Sequence, residues 1–313
     1  MRPCAPGRDR ANTGFPNFGK HTPLKPPSQK PRFNKSWRDR KRPGSSSSSP
    51  GNVGHRASAP HERSETGHDG ENGPLRLYGL HPVEAALRNP ARLIHRLLLT
   101  ENAERRLRES LGTIEPPIET VSPRDLDRLL GADAVHQGAA LETEPLPEPD
   151  WRDLAASAGG RPLIVLDQVT DPHNVGAILR SSVVFGASGL VMTRRHSPPL
   201  NGVLAKSASG ALELIPVALV ANLARALDEL KAAGFTIIGL DGEGEQAIED
   251  LDWSRPTALV MGSEGKGLRD LTRKTCDFLA RITTDDTLAS LNVSNAAAVA
   301  LHSALLARKR SQS

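Results

Sequence analysis

Cysteine is nearly absent from this sequence, which has two cysteines in 313 residues, Cys4 and Cys276. So sparse and distant a pair excludes a disulfide scaffold and a cysteine-rich zinc site, and it is typical of a reducing compartment. No apolar run approaches the roughly 20 residues that a membrane-spanning helix needs. The first 44 residues are rich in proline, arginine and lysine and lack the apolar segment of a secretory signal. An Arg-rich organelle transit peptide stays open as an alternative.

Aromatic residues are also scarce, at 3%, and the excess of positive charge is confined to one end of the chain. Residues 1–74 contain 14 Lys and Arg against 6 Asp and Glu, whereas residues 75–150 contain 9 against 13 and residues 151–313 contain 17 against 17. The basic segment has too few aliphatic residues to build a core that offsets the entropy of ordering. We therefore predict a disordered basic tail over 1–74 that contacts a polyanion, with a merely solubilising extension as the alternative.

The remaining chain divides into two α/β patterns separated by the acidic, proline-rich linker Pro145–Asp150. Over residues 75–146, short apolar strands alternate with amphipathic helices, which predicts a small α/β domain. Ser122 followed by Pro123 is typical of a helix start and predicts a capped helix over Arg124–Leu130. Over residues 157–313, continuous apolar runs such as Leu163–Leu166 and Thr257–Met261 predict strands that are covered on both faces.

The larger domain is therefore predicted to be a parallel sheet with helices on both faces. We expect one of its strands to span Leu212–Val220. We expect a helix to begin near Asn174, and a last helix to run over Asn292–Arg310, ending in cations that suit the helix dipole.

Glycine-bearing loops follow strands of this sheet, in the position where α/β proteins bind ligands. Gly242–Ala247 has the GxGxxA spacing of dinucleotide sites, but Glu243 and Glu245 put negative charge where a pyrophosphate would lie. Gly262–Gly267 is similar to a phosphate-binding P-loop, but it lacks the first glycine of that motif, and Gly267 replaces the Ser or Thr that holds Mg²⁺. Neither loop predicts nucleotide binding.

A third loop opens a helix with polar residues in Asp171–Arg180. Asn174 is able to cap that helix, and Gly176 allows another backbone to approach closely. We expect Arg180, six residues after Asn174, on nearly the same helix face. An ordinary capped helix with a surface arginine is the alternative. Ser290–Ser294 offers further caps and amide donors at the start of the last helix.

These segments together resemble the three motifs of the SpoU/TrmH class of RNA ribose 2′-O-methyltransferases. The matching positions, in the family's order, are Asn174-x-Gly176-x3-Arg180, Gly262-x-Glu264-Gly265-x-Gly267 and Ser290-Leu-Asn292-Val-Ser294. In the small domain, Tyr78–Val83 and His136–Gly138 are similar to the substrate-binding domain of the RlmB-like branch. The resemblance covers residues 75–310 and leaves only the tail unmatched.

The resemblance implies an α/β methyltransferase domain whose C-terminal part forms a deep trefoil knot, an exception among folds. It implies S-adenosylmethionine as the cofactor, held mostly through backbone groups at Gly262, Ile282 and Leu291. It also implies a homodimer with the last helix in the interface. No metal is implied.

The family match also assigns the residues of the reaction. Arg180 matches the catalytic arginine; because a guanidinium stays protonated, we expect it to stabilise the ribose alkoxide and hold the adjacent phosphate. Asn174 would orient Arg180 or the substrate. Glu264 would pair with Arg180 or with the ligand. Asn292 and Ser290 would contact substrate or, alternatively, cap the last helix.

Two histidines of the small domain, His81 and His136, are candidates for contact with substrate RNA through the same resemblance. A lone histidine in a small α/β domain is more often a hydrogen-bonded structural residue. No clustered partner suggests a metal site.

One segment departs from the family's pattern. Thr283 and Asp286 stand where the family usually has proline and glycine, and Asp285 adds a second negative charge beside the expected RNA site. The loop length is kept. The departure therefore bears on the identity of the RNA more than on the reaction.

The sequence thus predicts an S-adenosylmethionine-dependent RNA 2′-O-methyltransferase that acts on a guanosine of 23S, large-subunit ribosomal RNA in the bacterial cytoplasm. One alternative is a transfer RNA 2′-O-methyltransferase, against which the separate small domain speaks. The other is a non-catalytic RNA-binding protein on the same fold, against which the presence of Asn174, Arg180 and Glu264 speaks. An organelle is the less favoured location.

Overall fold

The computed structural model describes residues 74–285 and 291–311. The predicted basic tail, apart from Pro74, lies outside the described residues, as do Asp286 and Ser290. Within the described residues, no helix is both long and apolar enough to cross a membrane.

The small domain is a mixed four-stranded sheet with helices packed on it. Its elements are β1 (Leu75–Tyr78), α1 (Leu80–Arg88), β2 (Ile94–Leu99), α2 (Glu101–Leu111), β3 (Ile118–Thr120), α3 (Pro123–Leu130) and β4 (Ala139–Thr143). The strand order is β1-β4-β2-β3, with β4 antiparallel to both neighbours and β2 parallel to β3. Ser122 caps α3 as predicted: its hydroxyl accepts from the Asp125 N–H, and the Asp125 carboxylate accepts from the Ser122 N–H.

The larger domain is a seven-stranded, entirely parallel sheet. Its strands are β5 (Leu163–Asp167), β6 (Gly189–Thr193), β7 (Val217–Val220), β8 (Thr236–Leu240), β9 (Gln246–Ala247), β10 (Thr257–Gly262) and β11 (Phe278–Arg281). Its helices are α4 (Trp151–Ala156), α5 (Pro172–Phe185), α6 (Gly202–Ala208), α7 (Leu223–Ala232), α8 (Asp270–Thr275) and α9 (Val293–Ser311). The strand order is β7-β6-β5-β10-β8-β11-β9.

Helices cover both faces of this sheet, as predicted. Alternate residues of β5 enter different cores: Ile164 and Leu166 join the apolar cluster that includes α5, α6 and α9, whereas Leu163 and Val165 join the cluster that includes α4 and α7. Strands buried on both faces explain the continuous apolar runs of the sequence.

The prediction of one strand over Leu212–Val220 is wrong. Ala211–Glu213 forms a 3₁₀ turn, and the strand is limited to β7. The chain leaves α6 through Ser209 and Gly210, both with left-handed φ values. Leu212 is then buried within the apolar cluster of the helical layer instead of the sheet.

The start of α5 also differs from the prediction. The helix begins at Pro172, because the Asp171 carboxylate caps it by accepting from the His173 N–H at 2.8 Å. Asn174 is therefore inside the first turn, and its side chain does not cap the helix. Gly176 has the predicted close approach of another backbone: a Cβ there would lie 2.8 Å from the backbone nitrogen of Ala208 in α6.

Candidate active site

A cavity of about 550 Å³ opens at the carboxyl edge of the parallel sheet, a size that suits a cofactor. Its walls are the loops after β8 and β10, the segment after β11 and the start of α9. All three residues predicted to hold the cofactor, Gly262, Ile282 and Leu291, line it, and so do Glu264 and Asn292. The parallel topology brings these segments together, because the strand ends they follow lie at one edge.

The loop Gly262–Gly267 is folded back on itself along one wall of this cavity. Ser263 and Gly267 exchange two backbone hydrogen bonds, of 3.1 and 2.9 Å. A Cβ at Gly262 would lie 2.1 Å from the carbonyl carbon of Gly267, so only glycine fits there. Such a loop presents main chain to the cavity and suits a ligand that is held through backbone groups.

The amide of Asn292 joins two other predicted catalytic side chains, Asn174 and Glu264. Its Nδ2 donates to Asn174 Oδ1 at 3.0 Å and to Glu264 Oε1 at 2.5 Å. Its Oδ1 accepts from the backbone N–H of Ser294 at 2.8 Å and from the Ser294 hydroxyl at 2.6 Å. Asn292 therefore caps α9 and positions Asn174 and Glu264 at the same time, and its two donors and two acceptor positions are all used.

Arg180 does not share a helix face with Asn174. Six residues advance an α-helix by about 600°, which leaves the two side chains about 120° apart. Accordingly Asn174 is buried, at 7% exposure, whereas Arg180 is exposed. Arg180 makes no hydrogen bond or ion pair with the described residues, and the Glu264 carboxylate accepts from Asn292 instead. The Arg180 guanidinium is thus available to a phosphate or to another subunit.

Two arginines fix α8, which follows the Gly262–Gly267 loop, across the sheet edge. Arg269 donates to the buried carboxylate of Asp167 through both its backbone N–H (3.0 Å) and Nε (2.5 Å). Arg273, one turn later, pairs with Asp241 at 2.6 Å. Asp167 ends β5 and Asp241 follows β8, the two strands that flank β10. The pairs tie the cavity loop to both neighbouring strands; sequence reasoning did not single them out.

The two histidines of the small domain differ in their surroundings. His136 Nδ1 accepts from the Gly138 N–H at 3.0 Å, and Nε2 lies 3.1 Å from Asp127 Oδ1. Both ring nitrogens are engaged and 12% of the side chain is exposed, which fits the structural alternative. His81 is exposed on α1, so its contact with RNA stays a prediction.

Comparison with known proteins identifies the family. The model of the SpoU rRNA methylase family matches residues 161–302, and that of the RNA 2′-O ribose methyltransferase substrate-binding domain matches residues 76–149. The 23S rRNA (guanosine-2′-O-)-methyltransferase RlmB of Pseudomonas aeruginosa is 39% identical, over 74% of this chain and 96% of that protein. The chain belongs to the SpoU rRNA methylase family. It is therefore an RNA methyltransferase, as the motifs predicted.

Other members of the SpoU family support the assignment. The protein of the same name from Ralstonia nicotianae is 41% identical, over 74% of this chain and 95% of that protein. Among solved structures, the SpoU methyltransferase AviRb of Streptomyces viridochromogenes, in complex with AdoMet, superposes with a TM-score of 0.65. AviRb is 26% identical, and the match covers 76% of this chain and 91% of that chain.

Proposed function

We propose that this chain transfers a methyl group from S-adenosylmethionine to the ribose 2′-hydroxyl of a guanosine in 23S ribosomal RNA. The observation that carries the proposal is the bond of Asn292 to both Asn174 and Glu264 beside the cofactor cavity. The chain that contains this bond is 39–41% identical to relatives named for that reaction, and the match covers 95–96% of the relatives' length.

The cavity suits S-adenosylmethionine by its shape and by its charge. The glycine loop offers main chain, and Gly262, Ile282 and Leu291 would hold the adenosine. Three carboxylates line the cavity, Asp241, Glu243 and Glu264, against the two cations Lys266 and Arg273. The excess of one negative charge suits a ligand that carries sulfonium and ammonium cations. When bound, the cofactor supplies an electrophilic methyl group whose leaving group needs no acid.

The chain's own residues would position the ribose and stabilise its charge. Arg180 is the side chain for the developing alkoxide and the adjacent phosphate, since its planar five-donor group is charged and has no partner among the described residues. Asn174 orients the nucleotide from the first turn of α5. Asn292 acts by holding Asn174 and Glu264, and positioning of this kind supplies much of the barrier reduction in a methyl transfer.

The quaternary state we propose is a homodimer with α9 in the interface. α5 packs against α9, and apolar side chains on these two helices are solvent-exposed: Val184 at 65%, Val299 at 39% and Leu306 at 40%. Val299 and Leu306 are seven residues apart and share a helix face. Burial of this stripe against a second copy would remove apolar surface from water.

The family's trefoil knot is also part of the proposal. Its support is the strand order: β10 follows both β5 and β8 in the sequence, and in the sheet it lies between them.

The proposed domains are a basic tail over 1–74, a substrate-binding domain over 75–146 and a methyltransferase domain over 157–313. We place the protein in the bacterial cytoplasm, in keeping with the bacterial relatives.

The two alternative functions are less favoured. A transfer RNA target is disfavoured by the relatives named for 23S ribosomal RNA, which match through both domains. A non-catalytic RNA-binding protein has no need of an Asn174–Asn292–Glu264 contact beside a cofactor-sized cavity.

The test is transfer of labelled methyl from S-adenosylmethionine to total RNA of cells that lack this protein, followed by mapping of the product. One 2′-O-methylated guanosine in 23S ribosomal RNA is expected. Arg180→Ala should abolish turnover and leave the cofactor Kd unchanged in calorimetry. Arg255→Ala, which removes an exposed arginine from the opposite edge of the sheet, is the matched control. Full activity of Arg180→Ala would refute the site, and a methylated transfer RNA would refute the target.

A further inference from the structure

The two segments of the small domain that resemble RNA-binding motifs, Tyr78–Val83 and His136–Gly138, meet at the larger domain. Gln137 Oε1 accepts from the backbone N–H of Leu80 at 3.3 Å and from Lys206 Nζ at 2.5 Å. Lys206 belongs to α6 of the larger domain. One amide oxygen therefore links both segments of the small domain to the other domain.

The backbone around Gln137 is held in an unfavourable conformation. Its φ of 54° lies in the left-handed region, which a non-glycine residue occupies only when its surroundings enforce it. On one side the His136 ring accepts from the Gly138 N–H, and beyond it the Thr100 N–H donates to the Gly138 carbonyl at 2.8 Å. This anchoring directs the Gln137 side chain at Lys206.

The surroundings of Lys206 favour its bond to the Gln137 amide oxygen. Partial burial lowers the pKa of the Lys206 ammonium, and no carboxylate of the described residues lies within 4.0 Å of it. Gly79 leaves the space that the ammonium fills, since a Cβ there would lie 2.6 Å from Nζ. The next residue, Ser207, donates to the His173 carbonyl at 3.0 Å. α6 thus connects the contact to α5, the helix that carries Asn174.

A buried ion pair fixes the opposite end of the same domain boundary. Arg92 of the small domain donates through Nη2 to Glu213 Oε1 at 2.6 Å and through Nε to Glu213 Oε2 at 3.2 Å. The two side chains are 1% and 2% exposed. Asn89 Nδ2 also donates to this carboxylate, at 2.8 Å. Gly202 of α6 also packs against Tyr78, so the domains are held at separate points.

We propose that Gln137 and Lys206, with the Arg92–Glu213 pair, form a joint that locks the small domain onto the methyltransferase domain. In this joint the segments Tyr78–Val83 and His136–Gly138 are positioning elements, and Gln137 is a positioning residue. The consequence for the reaction rests on the proposed function. RNA that is bound by the small domain reaches the active site at a fixed distance, so the nucleotide that is methylated is the one at that distance from the bound part of the RNA.

The experiment removes the exposed end of the joint without backbone strain. Gln137→Gly deletes the amide while glycine tolerates the φ of 54°, and Lys206→Met keeps the aliphatic stem and loses the donor. The double variant combines them. Lys274→Met, at an exposed position on α8, is the matched control. The readouts are hydrogen exchange over Leu80–Arg88 and Gly202–Ala208, the cofactor Kd, and kcat and KM for a 23S ribosomal RNA fragment.

Each single variant should speed exchange in both segments and raise KM for RNA about ten-fold, as expected for one charge-assisted hydrogen bond. The double variant should match Gln137→Gly, because that substitution already removes the bond to Lys206 together with the bond to the Leu80 N–H. The value of kcat and the cofactor Kd should stay unchanged.

Unchanged exchange in both segments would overturn the joint. A raised KM without faster exchange would also overturn it, since that result marks Gln137 as a direct RNA contact. Faster exchange with an unchanged KM would refute the role in substrate positioning. If the wild-type protein methylates no RNA, the proposed function fails, and the exchange data still decide whether the joint exists.

Discussion

Replacement of Arg92 by methionine should strongly destabilise the protein, although Arg92 is far from the proposed chemistry. The substitution keeps an apolar chain of similar length but removes both donors to Glu213, at 2.6 and 3.2 Å, and the donor to the Glu144 carbonyl at 2.8 Å. The Thr143 hydroxyl lies 3.2 Å from the Glu144 carbonyl, but its one proton makes the shorter bond to the Leu93 carbonyl at 2.6 Å. Within the part of the chain that the structure describes, the Glu213 carboxylate, whose side chain is 2% exposed, keeps only the donor from Asn89.

The magnitude follows from the buried charge that is left behind. Removal of one partner of a buried ion pair costs about 3–5 kcal/mol, because the remaining charge has neither water nor a counter-ion. Replacement of both partners by apolar side chains is often close to neutral. We therefore expect Arg92→Met to lower the free energy of unfolding by about 3–5 kcal/mol, and Arg92→Met/Glu213→Leu to recover most of that loss.

Urea unfolding followed by tryptophan fluorescence measures both values, since Trp253 is buried and reports the loss of packing. Arg106→Met is the control: Arg106 is exposed on α2 of the same domain, and surface changes of this kind stay within about 0.5 kcal/mol. A loss below about 1 kcal/mol in Arg92→Met, or a double variant no more stable than the single, would refute the reasoning.

Three further predictions concern the cavity, the free thiol and the tail. Gly262→Ala should raise the cofactor Kd at least about ten-fold, because its Cβ would overlap the Gly267 backbone, whereas Gly242→Ala in the same cavity meets nothing within 4 Å; equal affinities in calorimetry would contradict this. Burial raises the pKa of the Cys276 thiol to about 12, so in a Cys4→Ser background a thiol reagent at pH 8 should label native protein on the order of a thousand-fold more slowly than unfolded protein; similar rates would show an accessible thiolate. Deletion of residues 1–74 should weaken RNA binding and flatten its dependence on salt, with an unchanged melting temperature; an unaltered salt slope would reduce the tail to a solubilising segment.

Local patterns in the sequence were sufficient for the layered fold. Apolar runs such as Leu163–Leu166 predicted strands buried on both faces, and the cap at Ser122 placed α3 correctly. The error at Leu212–Val220 has the same origin, because an apolar run buried under a helix and one buried in a sheet look alike in sequence. Only the surrounding structure distinguishes the two.

Sequence by itself also determined the family, through its three motifs. The resemblance implied Gly262, Ile282 and Leu291 as cofactor residues, and all three line one cavity because the segments after neighbouring parallel strands meet at one edge. Their contact with the cofactor stays a prediction. The prediction that Arg180 shares a helix face with Asn174 was wrong for a reason that the sequence already contains, because a spacing of six residues leaves two side chains about 120° apart on an α-helix. The structure accordingly has Asn174 buried and Arg180 exposed.

The tertiary structure alone decided which polar side chains meet. Asn174 and Asn292 are 118 residues apart, and Arg92 and Glu213 are 121 apart. No local pattern relates such positions, since their contact depends on the packing of α5 against α9 and of one domain against the other. His136 shows the same limit: the resemblance made it a candidate for RNA contact, whereas the fold engages its ring with Gly138 and Asp127. Its neighbour Gln137 bonds to Leu80 and Lys206. The sequence therefore determined the family and the cofactor, and packing determined which side chains meet at the candidate active site and between the two domains.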